Sequence, residues 1–167
     1  MDKRICRLSD KVGEMLVTQM GNELYNHALY STMSNFCALE GVDPLAQYYK
    51  KRADEEYIHH SWIATYLTEC DYSYVIPTVD KISEKIEDII EIFRITVDAE
   101  IKTSDNIDAI YDAAVEEKDH HTRQWLDTLL IPEQHEEETT SRAALAIMTL
   151  EDVNILVKSK EVLNLLM

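Results

Sequence analysis

The sequence predicts an all-α protein: a four-helix bundle with a long crossover between helices two and three and a short fifth helix at the C-terminus. Three observations lead there. The 167 residues include only 3 Gly and 3 Pro, so little interrupts helix formation. Apolar residues recur at alternating spacings of three and four along four long stretches, the period of one helix face. One stretch, from Asp71 to about Lys81, carries no such stripe and is too long for a hairpin turn.

The first stripe is Leu16, Met20, Glu23, His27, Tyr30, Ser34 and Cys37. Gly41-Val42-Asp43-Pro44 then reads as a helix stop followed by a start, with Asp43 as N-cap and Pro44 at the first helical position. So short a link makes the first two helices antiparallel neighbours. The second stripe is Leu45, Tyr49, Arg52, Glu56, His59, Ile63, Tyr66 and Cys70. The crossover leads to a third stripe of Ile86, Ile90, Phe93, Val97, Glu100, Ser104, Ile107, Tyr111 and Ala114. A break near Lys118-Asp119-His120 precedes the fourth, made of Leu130, Gln134, Glu137, Ser141, Ala144 and Met148. Pro132 lies inside that helix, where its missing N–H and its ring should force a kink or bulge. Thr149-Leu150-Glu151-Asp152 reads as a cap before a helix from Val153 to Leu166. With no composition shift or repeat, residues 1–167 read as one domain, the bundle at about 9–148 and the short helix at about 151–166.

The 16 basic and 32 acidic residues give a formal charge of −16. Such a chain repels nucleic acid and anionic membranes and concentrates cations. Cys6, Cys37 and Cys70 are too scattered for a disulfide framework or a zinc cluster. The charged N-terminus, Met1 to Arg7, is followed by no apolar run, so no signal peptide is expected. The longest purely apolar run, Ala143 to Met148, is far too short to span a bilayer. A cytoplasmic location is the expectation.

The informative acids are those on the apolar stripes: Glu23, Glu56, Glu100 and Glu137, one per helix. Burying an unpaired carboxylate costs several kcal/mol, roughly, even after relaxation. Arg52 can answer one such charge but not four, whereas two divalent cations nearly can. Glu56 and His59, three residues apart, share a helix face, as do Gln134 and Glu137. Carboxylate oxygen with imidazole nitrogen suits iron or manganese. Singly, each glutamate reads as a solvated side chain and a lone Glu-x-x-His arises by chance; the conjunction across four stripes makes the argument. His27, His60, His120, His121 and His135 read as core, surface or supporting residues. Tyr30 is either a core tyrosine or a hydrogen-bond donor or redox-active group beside the metals.

Three segments, Asn22 to Tyr30 with Met33-Ser34, Asp54-Glu55-Glu56-Tyr57-Ile58-His59 and Glu133-Gln134-His135-Glu136-Glu137-Glu138, resemble the bacterial non-haem ferritins. The similarity covers about residues 9–148. It implies a ferroxidase centre in which Glu23, Glu56 and His59 hold one iron with Gln134 close by. Glu56 would bridge to a second iron completed by Glu100 and Glu137. Glu55, Glu133 and Glu136 match an auxiliary third iron site, and Tyr30 matches the tyrosine adjoining the centre. The implied activity is oxidation of Fe(II) by dioxygen or hydrogen peroxide, with storage as ferric mineral inside a twenty-four-subunit cage. Tyr57 stands where bacterioferritins carry a haem-ligating methionine, so no haem is expected. A second reading is a small di-iron oxidase or peroxide scavenger of rubrerythrin type, but the fourth stripe carries Gln134 and Glu137 rather than a second Glu-x-x-His, and the chain has no iron–cysteine module. A metal-free structural bundle would leave the four inward glutamates unexplained.

Overall fold

A computed structural model describes residues 8–167; Cys6 and the charged N-terminal segment lie outside them. Helix α1 (Asp10–Leu39) starts at Ser9, whose hydroxyl accepts from the Val12 amide at 3.2 Å. It ends at Gly41, whose φ of +74° suits a residue without a Cβ. The Val42 amide donates back to Cys37 O at 2.9 Å, and the Val42 carbonyl accepts from Ala46. One residue therefore closes α1 and opens α2 (Asp43–Glu69). This corrects the expected cap: Asp43 is already helical, and Val42 caps with its backbone alone.

Residues 72–88 run extended along the bundle, a longer crossover than the stripe pattern implies. Ile82 and Ile86 have helical spacing but pack on the core from an extended strap. The ring of Tyr72 lies so close to Gly13 that a Cβ there would sit 2.3 Å from it. The Tyr25 hydroxyl donates to Glu84 Oε2 at 2.7 Å, a second anchor. Helix α3 (Ile89–Glu116) begins where Asp88 Oδ1 accepts from the amides of Ile90 and Glu91.

The fourth bundle position is composite: α4 (His120–Trp125), a π-helical stretch (Leu126–Leu130), then α5 (Ile131–Met148). The Ile131 amide donates to Leu126 O, five residues back, just before Pro132 in the first turn of α5. Of the two outcomes expected from Pro132, the bulge is the one present. Helix α6 (Ile155–Asn164) starts later than expected, capped by Asn154 Oδ1 on the Leu156 amide at 2.8 Å. Thr149 does not cap it, because its hydroxyl donates back to Leu145 O and Ala146 O and so finishes α5. Leu163 and Leu166 pack on the bundle and Leu165 faces outward. No helix of the described residues is long and apolar enough to cross a membrane.

Two apolar clusters fill the interior. One joins Leu16, Met20, Ile63, Leu67, Ile107 and Leu126; the other joins Met33, Leu45, Tyr49, Phe93, Ala144 and Met148. Along every bundle helix the buried acids fall between these two sets. The core face of α1 drifts off the strict stripe, since a straight helix does not hold a seven-residue period. His27 and Ser34 are consequently half-buried and bond to the α2 carbonyls of Ala53 (2.7 Å) and Ala46 (2.8 Å).

Helix α3 ends with Lys118 at φ +56°, the geometry Gly41 supplies for α1, and the Asp119 amide returns to Ala114 O at 2.8 Å. A side chain there costs about 1 kcal/mol. Lys118→Gly is therefore expected to stabilise the fold by about that amount, read as a raised denaturation midpoint with unchanged slope. A lower midpoint would refute the strain at this turn.

Candidate metal centre

Four helices converge on one buried polar layer. Glu23 comes from α1, Arg52, Glu56 and His59 from α2, Glu100 from α3, and Gln134 and Glu137 from α5, all at most 5% exposed. Ligand atoms of Glu23, Glu56 and His59 lie within 4.8 Å of one another, and so do those of Glu56, Glu100 and Glu137. Glu56 belongs to both triads. His59 Nδ1 is 3.9 Å from Glu56 Oε2 and 3.5 Å from Glu137 Oε2, so its ring borders both.

The surrounding groups hold the acids unequally. The Tyr30 hydroxyl donates to Glu100 Oε1 at 2.5 Å, and Gln134 Nε2 donates to Glu100 Oε2 at 2.9 Å and to its carbonyl at 3.2 Å. Gln134 thus orients Glu100 in this arrangement. Arg52 reaches Glu100 Oε1 at 2.5 Å and Glu137 Oε1 at 2.7 Å. Gln19, which the stripes pass over, donates to Glu23 Oε1 at 2.7 Å and is itself held by Asn22 at 3.2 Å. Its only sequence signal is its place one turn before Glu23.

Three carboxylate oxygens in this layer have no hydrogen-bond partner: Glu23 Oε2, Glu56 Oε1 and Glu56 Oε2. Buried acceptors left this way are costly unless a cation meets them. The donor set, mostly carboxylate oxygen with one imidazole, fits a divalent ion such as iron(II) or manganese(II). Burial, then Glu56, pushes the Glu23 carboxyl well above the usual range. Burial, then Glu137 and Glu100, does the same to Glu56. Glu137 is pushed up to about 8 by burial, against the opposing pull of Arg52.

These shifts set a pH dependence. From about 4.5 to about 8 the folded, metal-free protein keeps a proton on Glu137 that the unfolded chain gives up. The contribution of this group to stability falls with rising pH across that window, by about 1.4 kcal/mol per unit for each retained proton. Thermal midpoints of chelator-treated protein are expected to decline from pH 5 to pH 8. A saturating divalent cation, which binds the deprotonated acids and releases their protons, should flatten the slope. A metal-free midpoint rising over this range would contradict the assignment.

Three further sequence candidates stand apart from the triads. The Glu55 side chain is 34% exposed and accepts from Arg52 at 3.3 Å. Glu133 Oε1 is 3.7 Å from His59 Nε2, with its side chain 40% exposed, and Glu136 is exposed.

A family model described as a ferritin-like domain matches residues 13–150. A probable bacterial non-heme ferritin-like protein of Haemophilus influenzae is 30% identical over 131 residues, 78% of this chain and 79% of that one. A bacterial non-heme ferritin of Campylobacter jejuni is 28% identical over 135 residues, 81% of this chain and 80% of that one. Among solved structures, an open pore ferritin from the archaeon Archaeoglobus fulgidus superposes with a TM-score of 0.88 at 21% identity, covering 93% of this chain and 98% of that one. At that identity the likeness establishes the fold.

Proposed function

The chain belongs to the ferritin-like domain family, and from that premise we propose that it oxidises iron(II) at the paired triads and stores the ferric product as mineral inside a cage of twenty-four copies. The observation that carries this reading is the shared Glu56, flanked by two ligand groups in a layer with three unpartnered carboxylate oxygens. Glu23, Glu56 and His59 would take one iron(II), and Glu56, Glu100 and Glu137 the other. With dioxygen as oxidant, two iron(II) ions supply the two electrons that, with two protons, reduce it to hydrogen peroxide. Oxygen ligands favour the ferric state.

The chain's own part is to fix the acids before metal arrives. Gln19 ties one oxygen of Glu23 and leaves the other directed to the site. Tyr30 and Gln134 hold Glu100 from two sides. Burial, then the charges of Glu100 and Glu56, keeps the Tyr30 hydroxyl protonated and a donor far above its ordinary range. On the same reading Glu55, Glu133 and Glu136 form an auxiliary third site, supported by Glu133 lying against His59. Residues 1–167 act as one domain, and the net charge of −16 supplies acids for an iron-attracting cage interior.

The test is to add excess iron(II) in air and measure iron co-eluting with protein on a calibrated sizing column. Soluble iron far beyond about two per chain, the capacity of a di-iron site, at cage-like size is expected. Loading that stops near two at small size would remove the storage function and leave a di-iron oxidase.

A further inference from the structure

The two triads are not equally open to metal. In the first, Glu56 has both oxygens free and Glu23 has one. In the second, Glu100 Oε1 is taken by Arg52 and Tyr30, Glu100 Oε2 by Gln134, and Glu137 Oε1 by Arg52. A guanidinium, charged at every accessible pH, already occupies oxygens of Glu100 and Glu137 that the second ion needs. We propose that Arg52 is a resident cation of the second half-site and makes the centre load in two unequal steps, the second requiring Arg52 to turn aside. This inference rests on the di-metal reading above.

The geometry provides the place to which it turns. Glu55, one turn along α2, already accepts from Arg52 Nη1 at 3.3 Å and is partly exposed to water. Rotation toward Glu55 keeps one ion pair and carries the positive charge outward, away from an incoming divalent ion. Arg52 Nε makes no hydrogen bond, so the movement is resisted by the Nη contacts and by the guanidinium's seat over the Tyr30 ring, 5.6 Å from its centroid. The first step asks for none of this. An ion among Glu23, Glu56 and His59 meets unpartnered oxygens and displaces no protein group. Arg52 is thus a positioning residue that sets the order and relative affinity of loading.

The measurement is anaerobic titration of metal-free, full-length protein with cobalt(II), followed by its ligand-field absorption and by equilibrium dialysis. The wild-type chain is expected to show one tight site and a second weaker by at least about tenfold, since leaving a buried charge pair is strongly unfavourable. Arg52→Gln should narrow that gap by about tenfold or more by tightening the second site, with the first little changed. Arg52→Lys, which keeps the charge, should retain the gap. Should Arg52→Gln fail to fold, Glu55→Gln decides, because it removes the outward position and should widen the gap between the first two equivalents. Two equivalent sites in the wild type would overturn the role of Arg52 while leaving the di-metal reading intact, as would an unchanged gap in Arg52→Gln or in Glu55→Gln. No bound cobalt at all would overturn both.

Discussion

Glu56→Leu is expected to abolish protein-dependent iron oxidation and to leave the metal-free bundle at least as stable as before. Glu56 is the one acid shared by the two triads, so a single substitution takes a ligand from each. Affinity at either position should fall by at least about a hundredfold, given that even outer-shell changes cost up to that much. Iron oxidation should then run at the rate of iron in buffer alone. Stability should move the other way. Glu56 is 1% exposed, neither of its oxygens has a partner, and its carboxyl is pushed well up by burial and by Glu137 and Glu100. Replacing such a group by an apolar side chain of similar volume removes the penalty of a buried unsatisfied polar group, about 1–3 kcal/mol. Stopped-flow absorbance of ferric product and denaturant unfolding of chelator-treated protein read the two effects. A variant that retains oxidation would dismiss the shared-ligand site, and one several kcal/mol less stable would make Glu56 a structural residue.

Phe93→Ala is expected to have the largest effect on stability. The ring is fully buried, with centroids 6.0 Å from Tyr48 and 5.4 Å from Tyr49. Truncating a buried phenylalanine costs about 3–5 kcal/mol through lost transfer energy and the cavity left behind. In a domain of this size that lowers the thermal midpoint by about 6–20 °C. The loss should also reach the polar layer. The Tyr49 hydroxyl meets Thr96 at 3.1 Å, one turn before Arg52 on α2 and Glu100 on α3. The ring contacts of Phe93 with Tyr48 and Tyr49 join α3 to α2, as the Arg52–Glu100 pair does one turn further along α2. Differential scanning calorimetry with and without a divalent cation measures both consequences. A midpoint drop under about 2 °C would show that neighbouring side chains refill the space.

Much of this was legible in the sequence because a buried acid is physically conspicuous. Glu23, Glu56, Glu100 and Glu137 each interrupt an apolar stripe, and an interior position for a carboxylate calls for a counter-charge. The fold class followed from the same stripes and from the unstriped crossover. Other features carried weaker signals. Gln19 is neutral and lies beside the stripe, so nothing in its neighbours marked it as the group that orients Glu23. Arg52 stood on a stripe, but which acids it meets on other helices depends on the distance between helices, and it meets Glu100 and Glu137 besides Glu55 on its own. Ile82 and Ile86 have a four-residue spacing that periodicity cannot tell from helix, which is why α3 begins later than the stripe suggests. Pro132 marked a distortion without choosing its form; the five-residue hydrogen bond upstream chose it.

The strap between α2 and α3 has a kinetic consequence. Residues 73–87 take part in no backbone–backbone hydrogen bond among the described residues. Detaching the strap therefore breaks side-chain contacts, such as Tyr25 to Glu84, and no helical ladder. Amide protons there should exchange with solvent deuterium through a low-energy local opening, while those on α2 and α3 beside the acids wait for global unfolding. Mass-resolved exchange should place the two populations orders of magnitude apart in rate, so the protein breathes along one edge while its interior stays closed.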